Sequence, residues 1–172
     1  MVEAVQLTAL NAPFVLLDDA RVEGAVAARL FTDPLEICVA MSPDEVPALL
    51  ETLGRWQAEG AFAAGYLAYE AGHALEPRLA GTAQPLGEGW PLGWFARFAR
   101  CERIAPDDVP ALLPDPAGAV LGPPVPRIDW PAYRAAMEQV LEHIRAGDIY
   151  QANLTFAADV VVHGHPLAAY AR

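Results

Sequence analysis

Cysteine is scarce in this chain: only Cys38 and Cys101 occur among 172 residues, and they stand far apart. Neither belongs to a Cys-x-x-Cys pair or a Cys/His cluster, so a zinc site and a disulfide framework are both poorly supported. Two buried free thiols in a reducing cytoplasm are expected instead. Basic residues are also few, with 11 Lys and Arg against 22 Asp and Glu and a formal net charge of −11. A nucleic-acid partner needs clustered cations, so this balance argues against one, while a small anionic ligand needs only a few local donors. Long apolar runs are missing as well. Gly, Pro or a charge interrupts each of them short of a membrane span. The first residues, Met1 to Gln6, lack the basic flank and apolar run of a signal peptide.

What is present is apolar: 54% of the residues, enough for a real core. Val2 to Ala9 and Phe14 to Leu17 read as strands separated by Asn11-Ala12-Pro13. Ala25 to Phe31 and Leu35 to Ala40 flank Thr32-Asp33-Pro34, which reads as a hairpin turn. Ser42-Pro43-Asp44-Glu45 has the form of a capping box, with Val46, Leu49, Leu50, Leu53 and Trp56 at helical spacing and Gly60 as the stop. Phe62 to Glu70 contains Gly65 and small residues, as suits a central strand approached closely by another backbone. Trp94 to Ile104 is a further strand. Its Arg97, Arg100 and Arg103 form a cationic stripe expected to pair with local carboxylates rather than stack on nucleic acid.

Residues 106–128 interrupt this pattern, with seven prolines between Pro106 and Arg127. Proline removes a ladder donor, so the stretch reads as a linker or an ordered crossover. The organisation is then an α+β domain over 1–105, a proline-rich linker over 106–128, and a third segment over 129–172. In the last segment Asp129 caps a helix with Pro131 in its first turn. Tyr133, Met137, Val140, Leu141 and Ile144 form its apolar stripe, and Gly147 ends it. Val160-Val161-Val162 extends the next strand or pairs with it. His163 and His165 are two imidazoles without a third ligand and read as part of a turn. Pro166 to Arg172 opens another helix.

The stretch between those helices, Gly147 to Phe156, alternates with a period of two. Tyr150, Ala152, Leu154 and Phe156 fall on one face, and Gln151, Asn153 and Thr155 on the other. That second face is polar but uncharged. Two amides and a hydroxyl can donate and accept beside a ligand, or can simply be the polar side of a half-exposed strand.

The run Ile144 to Thr155, containing Gly-Asp-Ile-Tyr-Gln-Ala-Asn-Leu-Thr, resembles the signature that opens the catalytic domain of chorismate-utilising enzymes. Its Asn153-Leu154-Thr155 ending resembles aminodeoxychorismate synthase component I more than its sister, anthranilate synthase component I. Gly65-Tyr66 through Tyr69-Glu70, Gly72 and Glu76-Pro77 is similar to a run in the N-terminal domain of the same proteins. Without that likeness, Glu70 and Glu76 read as turn carboxylates rather than an acid/base pair, and His73 as structural.

The resemblance implies an α+β fold with largely antiparallel sheets. It implies amination of chorismate to 4-amino-4-deoxychorismate on the way to 4-aminobenzoate and folate. It also implies Mg²⁺ as cofactor, a glutamine amidotransferase as ammonia source, and a possible tryptophan ligand in the N-terminal domain. It covers only the N-terminal part of the family pattern. The family's Mg²⁺ carboxylates and its Pro-Ile-Lys-Gly-Thr nucleophile lie downstream of the matched residues. No catalytic or metal residue is therefore expected here, and the chain alone is expected to be inactive. Gln151, Asn153 and Thr155 are the residues expected to line the substrate, and the first helix and strand of the catalytic domain are expected to leave apolar faces open.

Overall fold

The computed structural model describes residues 6–21, 23–79 and 89–172. The chain divides into two units, Met1–Leu113 and Pro114–Arg172, so the boundary falls inside the proline-dense stretch. Helices and antiparallel strands are mixed in both, an α+β arrangement.

The N-terminal unit is built on one antiparallel sheet. Its strands are β1 (Val15–Leu17), β2 (Ala28–Ala40), β3 (Phe62–Leu67) and β4 (Gly93–Ile104), in the order β1-β2-β4-β3. Between β2 and β3 runs helix α1 (Val46–Ala58), and a single-turn helix α2 (Gly72–Leu75) follows β3. A second single turn, α3 (Val109–Leu112), follows β4 and buries Val109 and Leu112.

Three sequence expectations are corrected here. Leu7–Ala9 forms a 3-10 turn rather than a strand, and Val2 to Val5 lie outside the described residues. Thr32-Asp33-Pro34 does not reverse the chain. The expected hairpin is one 13-residue strand, β2, paired with β4 on both sides of Pro34. Asp33 adopts a φ of 57°, and the register shifts between Pro34 and Glu36. This is a β-bulge, which absorbs the missing proline donor without ending the ladder. The Arg100 guanidinium meets the Asp33 carboxylate there at 2.7 Å. Third, β3 is an edge strand rather than a central one, and it ends at Leu67, before a 3-10 turn over Tyr69–Ala71. The close approach expected at Gly65 is present: a Cβ there would lie 2.0 Å from the Trp94 carbonyl oxygen.

Helix α1 starts as its sequence indicates. The Glu45 carboxylate accepts from the Met41 and Ser42 N–H groups at 2.6 and 3.0 Å, and both bonds hold its pKa below the usual Glu value. Gly60, at φ 69°, follows the C-terminus. The helix buries Val46, Leu49 and Trp56 against one face of the sheet, joined by Ala40, Ala71 and Leu92. Val46 and Leu49 each contribute roughly 1.5–3 kcal/mol by this burial. The other face gathers Phe31, Ala64, Ala96 and Phe98, with Val15 and Trp94 packed against them. Cys38 and Cys101 are free thiols, half-buried rather than buried.

The C-terminal unit contains two short antiparallel ladders. β5 (Ala119–Leu121) and β6 (Val125–Pro126) come from the proline-dense stretch, followed by α4 (Trp130–Ala146). Strands β7 (Ala158–Asp159) and β8 (Val162–Gly164) and helix α5 (Pro166–Tyr170) complete it. β8 pairs with β5 and β7 with β6. Val160 to Val162 thus neither extends the Gly147–Phe156 stretch nor pairs with it. Ala168 of α5 is fully buried, and the Arg172 guanidinium donates to the Ala119 carbonyl at 2.8 Å.

Candidate functional site

The segment carrying Gln151, Asn153 and Thr155 is positioned from both ends. Upstream, the Asp129 carboxylate accepts from the Ala132 N–H at 2.8 Å and starts α4. Downstream, Gly147 takes the left-handed conformation, φ 82°, and its N–H donates to the Ile144 carbonyl at 3.1 Å. The Asp148 N–H then donates to the His143 carbonyl, and the Asp148 carboxylate lies 3.0 Å from His143 Nδ1. This double closure directs the chain away from the helix. At the far end the Arg127 N–H donates to the Ala157 carbonyl at 2.8 Å. Two residues further, Arg127 Nε donates to the Asp159 carboxylate at 2.9 Å. The guanidinium holds the Asp159 carboxyl below its ordinary value, and the carboxylate raises the Arg127 pKa in return.

Between these anchors the expected strand is absent. Gln151 to Ala157 has no ladder partner among the described residues. A strand is stabilised by the partner that accepts its backbone hydrogen bonds, and none is offered in this unit. Gln151, Asn153 and Thr155 are all exposed, and among the described residues no hydrogen bond joins their side chains to another group. On the apolar side, Tyr150 is 93% exposed and Phe156 49%. Phe156 contacts Tyr133 edge-to-face at 5.4 Å between ring centroids, and Tyr133 lies 6.0 Å from Trp130. Pro126, Ile128 and Asp129 join these three rings around a cleft of about 320 Å³. The apolar stripe of α4 contributes no buried residue.

The carboxylates nearest in sequence are already engaged: Asp129 caps α4, Asp148 meets His143 and Asp159 meets Arg127. Among the described residues no three of His, Cys, Asp and Glu gather as a metal-binding group. The described carboxylates around this segment are thus not arranged to hold Mg²⁺ by themselves. His165 Nδ1 accepts from the Leu167 N–H at 3.1 Å and caps α5, while His163 lies in β8. Glu76 accepts from the Arg78 N–H at 3.1 Å, and the Glu70 carbonyl lies 3.1 Å from His73 Nδ1, so both residues shape turns. Of the three strand arginines, Arg97 meets Glu59 at 2.7 Å and Arg100 meets Asp33. Arg103 meets no carboxylate among the described residues, so two of the three arginines pair as expected.

A second cleft was not foreseen. In the N-terminal unit, Pro13 to Leu16 join Gly65, Tyr66 and Trp94 around a volume of about 550 Å³. Residues from both edge strands line it, so the sheet curls to bring β1 towards β3. Only the non-local order of the strands assembles these residues. The pairing of Tyr66 with Trp94 was not readable locally.

A comparison with protein families matches the chorismate binding enzyme family over residues 35–172. No curated protein and no solved structure matched the chain. The family match spans most of the chain and includes the segment that carries the uncharged amide and hydroxyl row, and the chain belongs to the chorismate binding enzyme family.

Proposed function

We propose that this chain is the N-terminal part of an aminodeoxychorismate synthase component I. The complete enzyme replaces the C4 hydroxyl of chorismate with ammonia, releasing water and forming 4-amino-4-deoxychorismate. A glutamine amidotransferase partner supplies the ammonia. The observation that carries this reading is the Asn153-Leu154-Thr155 ending, set in an exposed segment whose amide and hydroxyl groups meet no hydrogen-bond partner among the described residues. Such groups can hydrogen-bond the hydroxyl and carboxylate oxygens of chorismate without adding a charge of their own.

The remaining chemistry lies with groups this chain does not supply. It contains no lysine, and its carboxylates near the segment are committed to caps and ion pairs. Mg²⁺, when bound, would neutralise a substrate carboxylate and support loss of hydroxide. The purified 172-residue chain is therefore expected to leave chorismate unchanged in the presence of ammonia and Mg²⁺. Single-turnover mixing followed by chromatography tests this, and any aminated product would overturn it.

The aromatic cleft of the N-terminal unit favours a second reading, in which this unit is a tryptophan-binding module. Tyr66 and Trp94 offer stacking surfaces and Pro13 to Leu16 an apolar wall. Calorimetry with tryptophan and with chorismate separates the two readings: saturable binding of tryptophan alone, unchanged on replacing Asn153, would favour the module.

A further inference from the structure

Arg29 of β2 and Arg103 of β4 lie directly opposite each other in the antiparallel register. Residues so paired project from the same face with their Cβ atoms roughly 4.5–5.5 Å apart, and like charges placed this way are destabilising. Both residues are exposed. Among the described residues neither guanidinium enters an ion pair or a hydrogen bond. The contrast along β4 is direct, because Arg97 and Arg100 each meet a carboxylate at 2.7 Å. Same-face neighbours along the two strands are Phe31 and Cys101, which carry no charge to offset the pair. Asp19, just beyond β1, is already held by the Arg21 guanidinium and the Val26 N–H. Arg55 and Arg78 also meet no carboxylate among the described residues, but Arg29 and Arg103 are the two that stand directly opposite each other in a strand register.

A third member completes the row. Leu17 of β1 is the register partner of Arg29, and it is 51% exposed. One face of the sheet therefore presents Leu17, Arg29 and Arg103 side by side across three strands. A free anion would use the guanidiniums and leave the leucine wet. An acidic protein surface can use all three, covering Leu17 with apolar area while its carboxylates take the planar guanidinium forks.

We infer that Leu17, Arg29 and Arg103 form a docking row for an acidic segment of a partner protein. This does not rest on the chorismate reading. The net charge of −11 makes the row locally distinctive and lets the rest of the surface repel an acidic partner approaching in the wrong orientation.

The test uses the full chain and a fluorescent, end-blocked peptide of sequence Glu-Glu-Leu-Glu-Glu, followed by anisotropy. Saturable binding that weakens with salt is expected, and Arg103→Glu should weaken it at least about tenfold. Arg134→Glu, on the other unit, should leave it unchanged. Arg103→Glu places a carboxylate opposite Arg29, so it should also raise Tm; a lower Tm would mean that Arg103 already has a structural partner and would overturn the inference. Absence of saturable binding, or binding unaffected by Arg103→Glu, also overturns it. So does displacement by inorganic phosphate beyond that caused by sodium chloride at equal ionic strength, which would assign the row to small anions.

Discussion

The indole N–H of Trp56 donates to the Glu36 carboxylate at 3.1 Å, tying the last turns of α1 to the middle of β2. Trp56 is fully buried, so this bond combines the largest apolar side chain of the helix face with its one polar handle. Trp56→Phe should cost about 1–3 kcal/mol, the loss of the donor together with part of the ring volume. Trp56→Ala should cost about 3–5 kcal/mol. Urea denaturation followed by circular dichroism measures both, and equal losses for the two variants would show that the indole bond and ring volume have been misjudged.

Two glycines should respond in opposite directions. Gly65→Ala drives a methyl group into the Trp94 carbonyl and the Phe95 backbone, at 2.0 and 2.6 Å. These are backbone atoms and cannot rotate away, so a loss of about 1–3 kcal/mol or more is expected. At Gly54, in the middle of α1, an added Cβ meets nothing within 4 Å. Gly54→Ala should raise stability by about 0.5–1 kcal/mol through helix propensity. Thermal melts of the pair decide the matter: destabilisation by Gly54→Ala would contradict the exposed placement of that helix face.

Acid should weaken the fold through a small set of carboxylates. Asp19 is held well below its usual pKa first by the Arg21 guanidinium and then by the Val26 N–H. Asp159 is lowered by Arg127, and Glu45 by the Met41 and Ser42 N–H groups. A depressed folded-state pKa contributes stability that is present above the unfolded value and lost as pH falls through the folded one. The ordinary values are 3.8 for Asp and 4.5 for Glu, so Tm should be flat in this respect at neutral pH and fall below those values. Glu45→Gln should remove part of that acid dependence. A Tm profile for this variant parallel to wild type throughout the acid range would exclude the Glu45 contribution.

Local chemistry was legible where a helix end is a local event. Ser42 to Glu45, Asp129 and Gly147 each announce a cap whose partners lie within a few residues, and each forms as read. What was hidden depends on partners distant in sequence. Thr32-Asp33-Pro34 carries turn residues, but pairing with β4, some sixty residues away, extends on both sides of it and converts the turn into a bulge. The same applies to β5 and β6, short ladders inside a stretch that proline content marks as irregular. For Gly147 to Phe156 the period of two predicts a strand, and the structure forms none there. No neighbouring strand is present in its unit to turn that chain into a ladder. Gln151, Asn153 and Thr155 could be singled out by type and spacing, whereas the aromatic cleft could not, because β1 and β3 meet there only through the curl of the sheet.

The uncharged row should matter little for folding. Gln151, Asn153 and Thr155 are exposed, so their combined replacement by Ala should shift the stability of this chain by no more than about 0.5 kcal/mol per site. A cooperative loss well beyond that in a denaturant titration would assign the three side chains a structural role instead.

The most direct measurement is made on the longer enzyme proposed to contain this chain, supplied with chorismate, ammonia and Mg²⁺, with product identity and KM for chorismate read together for wild type and Asn153→Ala. The expected product is 4-amino-4-deoxychorismate, with KM raised about tenfold or more by Asn153→Ala through loss of a substrate hydrogen bond. Formation of anthranilate, or kinetics for Asn153→Ala that match wild type, would contradict the assignment of this amide and hydroxyl row to the wall of a chorismate-aminating site.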